Sequence, residues 1–151
     1  MKKLSEAIII PCIMLALIIQ FVACSKETSA SNNNNNSAIT VQNLVGTYAL
    51  TALTVTVPPL PPQSIIDSLP VCQRDDLYKL NSDMTFNYVD AGVKCVPPGD
   101  ASGNWSLSSN TIIIDTLHLT IVSFDGKTLA LTAPVTISGF AGTTTETLVK
   151  Q

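Results

Sequence analysis

The chain has 151 residues, and its 11 acidic and 8 basic residues give a net charge of −3 at pH 7 with the histidine neutral. This length suits one domain. Lysines and arginines do not cluster into a basic patch, which argues against nucleic-acid binding and against electrostatic attachment to anionic lipid.

The first 23 residues have the three parts of a secretory signal peptide. A positive start at Met1–Lys3 precedes an uncharged apolar run from Ala7 to Val22. Residues 21–24, Phe-Val-Ala-Cys, resemble a bacterial lipobox, although its usual first residue is aliphatic. The resemblance implies cleavage before Cys24, lipidation of Cys24, and anchoring in the outer membrane on its periplasmic or surface face. An uncleaved anchor is the alternative, but the apolar run is shorter than the roughly 20 residues of a spanning helix.

Residues 24–38 form the next segment, which is rich in serine and asparagine and includes the five asparagines Asn32–Asn36. Such a composition buries no apolar surface, so we predict a disordered tether here. The folded domain is expected over residues 39–151.

From Ile39 onward, apolar residues recur mostly with the period of two that is typical of β-strands. In the first predicted strand, residues 44–57, the parity of the apolar positions changes between Leu50 and Leu53. Such a change indicates a bend or bulge near Thr51-Ala52.

A proline-rich segment, residues 58–62, ends this strand because proline lacks the N–H that a sheet ladder requires. Ile65, Ile66 and Leu69 then follow with a spacing that suits one or two helical turns over residues 63–69, capped by Ser64. This is the longest connection in the domain, and it is either a functional lid or a plain surface crossover.

Residues 72–95 predict a β-hairpin with its turn at residues 81–84. A type I turn followed by a bulge residue at Met84 fixes the register and requires a left-handed backbone at Met84. The resulting cross-strand pairs are Leu80 with Phe86 and Tyr78 with Tyr88.

Cys72 and Cys95 stand at the outer ends of this hairpin. In an exported protein a disulfide is the default for such a pair. A two-cysteine metal site and a catalytic thiol are the alternatives. The register places Cys72 opposite Lys94, so a bulge near Gly92 is needed to align the two cysteines. The sequence therefore predicts a disulfide that staples the hairpin.

Five further strands are predicted at residues 102–108, 111–115, 117–124, 127–137 and 143–149. Sequential strands joined by short turns usually pair with one another, and closing the sheet removes its exposed edges. We therefore expect an all-β fold, a small antiparallel up-and-down barrel of about eight strands. A two-sheet sandwich is the alternative.

The order of several short motifs resembles the lipocalin-like domains of small bacterial lipoproteins over most of residues 40–150. The motifs are Gly46-Thr47-Tyr48, Cys72 with Asp75-Asp76, Leu80 to Phe86, Cys95, and Gly103-Asn104-Trp105. Tyr48 stands where the family typically has tryptophan, and Met84 where it tends to have a turn glycine. The resemblance implies a small lipocalin-like barrel that can hold an apolar ligand, and it brings no catalytic residue with it.

Aromatic side chains dominate the candidate binding residues. The interior of an eight-stranded barrel is just wide enough to be filled by side chains or to hold one small ligand. The short strands favour filling, with any pocket shallow, near the mouth and covered by the loop residues Ile65, Ile66 and Leu69. The candidate ligand-binding residues are Tyr48, Ile65, Ile66, Leu69, Tyr78, Phe86, Tyr88 and Trp105.

Residue types that support catalysis or metal binding are sparse. His118 is the single histidine, and its strand neighbours indicate a surface or barrel-wall position. Asp75 and Asp76 are adjacent, so on a strand they point to opposite faces and do not form an acid–base pair. We therefore expect no enzymatic activity, no metal and no cofactor.

Two functions fit these features. The first is a lipid-anchored envelope lipoprotein whose barrel binds a small apolar or lipid ligand. The second is a non-catalytic accessory subunit of an envelope assembly, with a filled barrel and a protein partner. An apolar cavity open at one end favours the first, and a solid core with an exposed apolar patch favours the second.

Overall fold

The computed structural model describes residues 37–151. The predicted signal peptide, Cys24 and all but the last two residues of the predicted tether lie outside that range. Among residues 37–151, no helix combines the length and the apolar character that crossing a bilayer requires.

Strands make up most of the described part of the chain. They are β1 (Gly46–Thr56), β2 (Gln63–Ser64), β3 (Leu77–Leu80), β4 (Thr85–Val89), β5 (Ala101–Ser108), β6 (Thr111–Ile114), β7 (Leu117–Phe124), β8 (Thr128–Ile137) and β9 (Phe140–Lys150). The helical segments are α1 (Val41–Leu44), α2 (Val71–Arg74) and a 3-10 turn at Ile66–Ser68.

Eight of these strands close into an antiparallel barrel. From β3 to β9 each strand pairs with the next along the chain, and β1 pairs with β3 on one edge and with β9 on the other. The two-residue β2 adds to β1 beyond the end of β3. The expected all-β, up-and-down barrel is confirmed, and the sandwich alternative is ruled out.

The parity change in β1 coincides with a bulge. β1 pairs with β9 as far as Leu50 and resumes pairing at Ala52, which leaves Thr51 out of register. The Thr51 hydroxyl donates to the carbonyl of Thr147 at 3.0 Å. Leu50 faces the core before the bulge and Leu53 packs against the core after it. The predicted bulge is confirmed.

The β3–β4 hairpin has the predicted register. Leu80 pairs with Phe86, and Tyr78 pairs with Tyr88. The two tyrosine rings meet edge to face with their centroids 5.2 Å apart. Met84 has a φ of 66°, which is the left-handed backbone expected after this turn.

The predicted disulfide joins Cys72 and Cys95, whose Cα atoms are 5.1 Å apart. Its predicted place within the sheet ladder is wrong, because Cys72 lies in α2, before β3, and Cys95 lies in the loop after β4. Gly92 has a φ of 46° but also lies in this loop, so it does not form a bulge in the ladder. The disulfide ties together the two segments that leave the hairpin.

Buried aspartates explain why the hairpin ends early. Asp76 accepts a hydrogen bond from the N–H of Ala91 at 2.9 Å. Asp90 accepts from the N–H groups of Cys95 at 3.1 Å and Gly99 at 3.0 Å. Since carboxylates take up backbone donors of the segment after β4, that segment folds as a loop instead of extending the ladder.

The helical segment predicted over residues 63–69 is reduced to one 3-10 turn at Ile66–Ser68, and the predicted cap is wrong. Ser64 does not cap a helix but belongs to β2, where it pairs with Thr54. The N–H of Ile65 donates to the carbonyl of Leu53 at 2.8 Å, and a single 3-10 turn follows. Beyond the end of β3, backbone N–H and C=O groups on the edge of β1 bind this segment. The segment is too short to be stable as an isolated helix.

Two further elements differ from the prediction. α1 was not expected; it begins after Thr40, whose side chain caps it by accepting from the N–H of Asn43 at 3.2 Å. Residues 140–142 were expected in a loop but extend β9. The turn needs only Ser138 and Gly139, whose φ values of 51° and 86° suit a two-residue hairpin turn.

The core gathers the inward-facing residues of β1 and β3 to β9, together with α1. Its buried members are Leu44, Tyr48, Leu50, Leu80, Trp105, Ile112, Leu119, Ile121, Phe124, Leu129, Leu131 and Leu148. Most of them alternate along their strands with outward-facing neighbours, so the barrel buries one face of each strand.

Removal of the disulfide is expected to lower stability without dismantling the barrel. In the chain-entropy account, a link across a sequence separation of 23 residues contributes about 3 kcal/mol. Its loss should lower Tm by roughly 10 °C or more. The Cys72→Ser/Cys95→Ser double variant and the reduced wild type should melt together in circular dichroism. Melting of the double variant at the oxidised wild-type temperature would contradict this role.

Candidate ligand-binding cavity

One end of the barrel is crossed by α1. Leu44 is fully buried, and its carbonyl accepts a hydrogen bond from the Tyr48 hydroxyl at 2.7 Å. Lys150 reaches over the same end, where its Nζ donates to the carbonyl of Asn43 at 2.9 Å and lies 5.5 Å from the centre of the Tyr48 ring. Burial raises the pKa of Tyr48 to about 12, so the hydroxyl remains a donor at neutral pH. These contacts fix α1 across this end of the barrel, which we call the closed end.

An apolar cavity of about 120 Å³ lies inside the barrel. Its lining residues are Tyr48, Tyr78, Leu80, Phe86, Ile112, Ile114, Leu117, Leu119, Leu129, Leu131, Glu146 and Leu148. Leu129 and Leu148 are buried, whereas Leu117, which follows the β6–β7 turn, is 52% exposed. Alternate turns of this barrel lie at alternate ends, and the β6–β7 turn lies at the end opposite α1. The cavity therefore reaches the surface at that end, which we call the mouth.

Besides Tyr48, whose hydroxyl is bonded to the Leu44 carbonyl, two polar side chains line the cavity, those of Glu146 and Tyr78. Glu146 pairs with Leu53 of β1 and Leu131 of β8, both of which face the interior. Burial raises the pKa of the Glu146 carboxyl above its ordinary value. Burial, and then the nearby carboxylates of Glu146 and Asp76, raise the pKa of Tyr78 to about 12. The cavity thus places a carboxyl and a phenol against an otherwise apolar wall.

The structure brings some of the predicted aromatic residues into the cavity and places others elsewhere. Tyr48, Tyr78 and Phe86 line the cavity. Tyr88 is not part of the lining; its hydroxyl donates to the carboxylate of Asp76, and burial together with this bond raises its pKa. Trp105 is 2% exposed, and its Nε1 donates to the carbonyl of Asn81 at 2.9 Å. Tyr88 and Trp105 therefore stabilise the fold.

The predicted cover of the cavity contributes no side chain to its lining. Ile66 and Leu69 pack against the core, and Ile65 is bound to β1 through its backbone. Arg74 holds this segment, since its Nε donates to the carbonyl of Leu69 at 2.9 Å and its Nη2 donates to the carbonyl of Asp67 at 2.6 Å. The proline-rich connection is thus fixed to the barrel wall.

The sequence prediction missed Leu80 of β3, the aliphatic residues of β6 to β9, and Glu146. The missed residues are Leu80, Ile112, Ile114, Leu117, Leu119, Leu129, Leu131, Glu146 and Leu148. Glu146 and Leu148 share one parity in β9, so the alternation did carry the signal that both face inward. A charged residue is normally placed on the surface, and that default concealed Glu146.

Asp75 and His118, two of the titratable residues considered in the sequence, lie outside the cavity. Asp75 accepts a hydrogen bond from the N–H of Val93 at 2.8 Å, and His118 is exposed on the outer face of β7. Within residues 37–151 no three side chains of His, Cys, Asp or Glu are grouped so that they could hold a metal ion. The interior cavity is therefore the candidate functional site.

Comparison with known families matches residues 44–131, more than half of the chain, to the lipocalin-like domain. The chain belongs to the lipocalin-like domain family. The resemblance seen in the sequence is thereby confirmed. A search of curated proteins found no match. In this lipocalin-like domain, the cavity residues from β1 to β8 lie within the matched span, whereas Glu146 and Leu148 of β9 lie beyond it.

Glu146 is expected to make the stability of this lipocalin-like domain fall as the pH rises. Because burial raises its folded-state pKa, the folded chain holds the proton more tightly than the unfolded chain. The stabilisation is complete below the unfolded pKa and is lost as pH rises through the folded pKa. Glu146→Gln should therefore melt above wild type near neutral pH, with the gap closing toward about pH 4, in thermal melts across a pH series.

Asp125→Asn provides a control of opposite sign. The backbone N–H groups of Thr128 and Lys127 hold the pKa of Asp125 below its ordinary value, so this carboxylate stabilises the fold above its unfolded pKa. This variant should melt below wild type near neutral pH, and the gap should also close in acid. If Glu146→Gln and wild type show the same dependence of Tm on pH, the proposed effect of the half-buried Glu146 is refuted.

Proposed function

We propose that this chain is a lipid-anchored, non-catalytic envelope lipoprotein whose barrel binds a small apolar molecule. The observation that carries the proposal is the interior cavity, which is walled by leucine, isoleucine and aromatic side chains and opens at the end opposite α1. Burial of apolar ligand surface in such a space is favourable, and ligand sites in small barrels lie at their mouths.

The size of the cavity limits the ligand. Its volume of about 120 Å³ is close to that of an engineered protein cavity of about 150 Å³ that binds benzene. Pockets for drug-sized molecules are larger, roughly 300–1,000 Å³. The proposed ligand is therefore either compact or inserts one apolar end, with the remainder outside the mouth.

A substitution that fills the cavity should abolish binding of a small apolar probe. Ile114 lines the cavity near the mouth, and Ile114→Trp places a bulky ring in that space. Toluene should shift the methyl NMR signal of Ile112 in the wild type, with affinity at least roughly tenfold weaker in the variant.

The neighbouring residue supplies a matched control. Ile113 pairs with Ser106 and His118 on the outer face of β6, so Ile113→Trp should bind toluene as the wild type does. Equal toluene binding by Ile114→Trp and wild type would contradict the proposed site. Lack of toluene binding by the wild type would refute ligand binding and favour a partner-binding role.

The anchor is proposed to be lipid on Cys24, after removal of residues 1–23. The Cys72–Cys95 disulfide supports export, because disulfides persist in oxidising compartments. Several acyl chains on one cysteine would hold the protein at the outer membrane.

Substitution of Cys24 tests the anchor directly. Cys24→Ser should abolish labelling with radioactive fatty acid, leave residues 1–23 uncleaved, and remove the protein from the outer-membrane fraction. Cys12→Ser, a cysteine within the proposed signal peptide, should leave fractionation unchanged. Wild-type protein that carries no fatty-acid label and retains residues 1–23 would instead indicate an uncleaved anchor.

A second candidate function is docking of an envelope protein at the mouth. Exposed apolar side chains occur on several connections at that end of the barrel. They include Leu60, Val71, Val93, Val96, Leu117 and Phe140, and Val96 is 97% exposed. Exposed apolar surface of this kind is typical of interaction sites.

A further inference from the structure

Glu146 places a carboxyl in the wall of the barrel cavity. It lies on the inward face of β9, two residues from the buried Leu148 and opposite Leu53 and Leu131 on the neighbouring strands. Its position is therefore set by the ladder on both sides and does not depend on a loop. Burial of a carboxylate in apolar surroundings is costly unless the carboxylate has a partner.

No cation in residues 37–151 pairs with this carboxyl. The one ion pair among these residues joins Arg74 and Asp67. Lys150 lies on the same face of β9, but its Nζ is bound to the carbonyl of Asn43 and lies over the Tyr48 ring at the closed end. Tyr78 is the titratable side chain that lies near enough to Glu146 to be affected by its charge.

The order of the lining residues along the barrel axis, from α1 to the mouth, suits an amphipathic ligand. Leu129 and Leu148 form a cross-strand pair on the α1 side of Glu146, and both are buried. Glu146 pairs with the next inward position of β8, Leu131, one step nearer the mouth. An apolar group seated against the leucines would thus have its outer end at the carboxyl.

We propose that Glu146 and Tyr78 select ligands that carry a hydrogen-bond donor, above all a protonated amine, on a compact apolar body, and reject carboxylates. This inference rests on the proposed function. An ionised carboxyl only accepts hydrogen bonds, and a charge-assisted bond from an ammonium group is the strongest partner available to it. A carboxylate ligand would place two like charges together in an apolar space. Tyr78 can supply a further hydrogen bond to an amine or a hydroxyl.

Four probes with the same ring test this selection: benzylamine, benzyl alcohol, toluene and benzoate. Each is titrated into the purified chain at about pH 7.5, with the methyl NMR signals of Ile112 and Leu119 as the readout. Benzylamine should bind about tenfold or more tightly than toluene, benzyl alcohol should fall between them, and benzoate should bind most weakly.

Variants assign the selection to Glu146. In Glu146→Gln the advantage of benzylamine over toluene should fall by about tenfold, and the penalty on benzoate should shrink. Asp115→Asn is the matched control, because Asp115 lies in the turn at the mouth but outside the cavity lining. It should leave the order of the four probes unchanged.

The outcomes separate this inference from the proposed function. Binding of toluene without preference for benzylamine over benzoate would overturn the inference and leave the apolar site intact. Absence of a methyl shift with all four probes would overturn both. The wild-type series needs no variant, so it decides the inference even if Glu146→Gln fails to fold.

Discussion

The double pairing of β1 is the constraint on which the rest of the structure depends. β1 forms ladders with β3 on one edge and β9 on the other, and the bulge at Thr51 lets both halves of this strand face the interior. Without that closure, two strand edges would be exposed and the sheet would have two open faces. Closure of the sheet creates the barrel interior, where side chains from seven strands line one cavity.

The two ends of the barrel are held by different physical means. At the closed end, α1 is held by the burial of the Leu44 side chain and by the hydrogen bond from the Tyr48 hydroxyl to the Leu44 carbonyl. At the mouth, carboxylates of Asp76 and Asp90 bind loop N–H groups, and a disulfide links the flanking segments. Because polar bonds fix the loops there, their apolar residues are not needed for packing, and Val96 faces solvent.

The alternation of apolar residues was enough to predict most of the strands and the bulge in β1, and the turn type at residues 81–84 predicted the pairing of Tyr78 with Tyr88. The period of the apolar residues indicates which segments form strands, but not which side chains bind backbone groups. It could not reveal that aspartate side chains would compete for the backbone donors after β4, so the hairpin was predicted too long. It also could not locate the cavity, because the inward residues of β6 to β9 meet only when the ring closes. Glu146 was missed for a different reason: it shares the parity of Leu148, but a charged residue is normally placed on the surface.

β9 carries a cation and an acid on its inward face, four residues apart. Lys150 lies at the closed end, and Glu146 lies about 13 Å away along the strand, toward the mouth. Both side chains are partly buried, so their charges are screened less than those of fully exposed groups. When Glu146 is ionised, the barrel is therefore electrically polarised along its axis. A dipolar molecule that entered it would favour the orientation with its positive end toward the mouth.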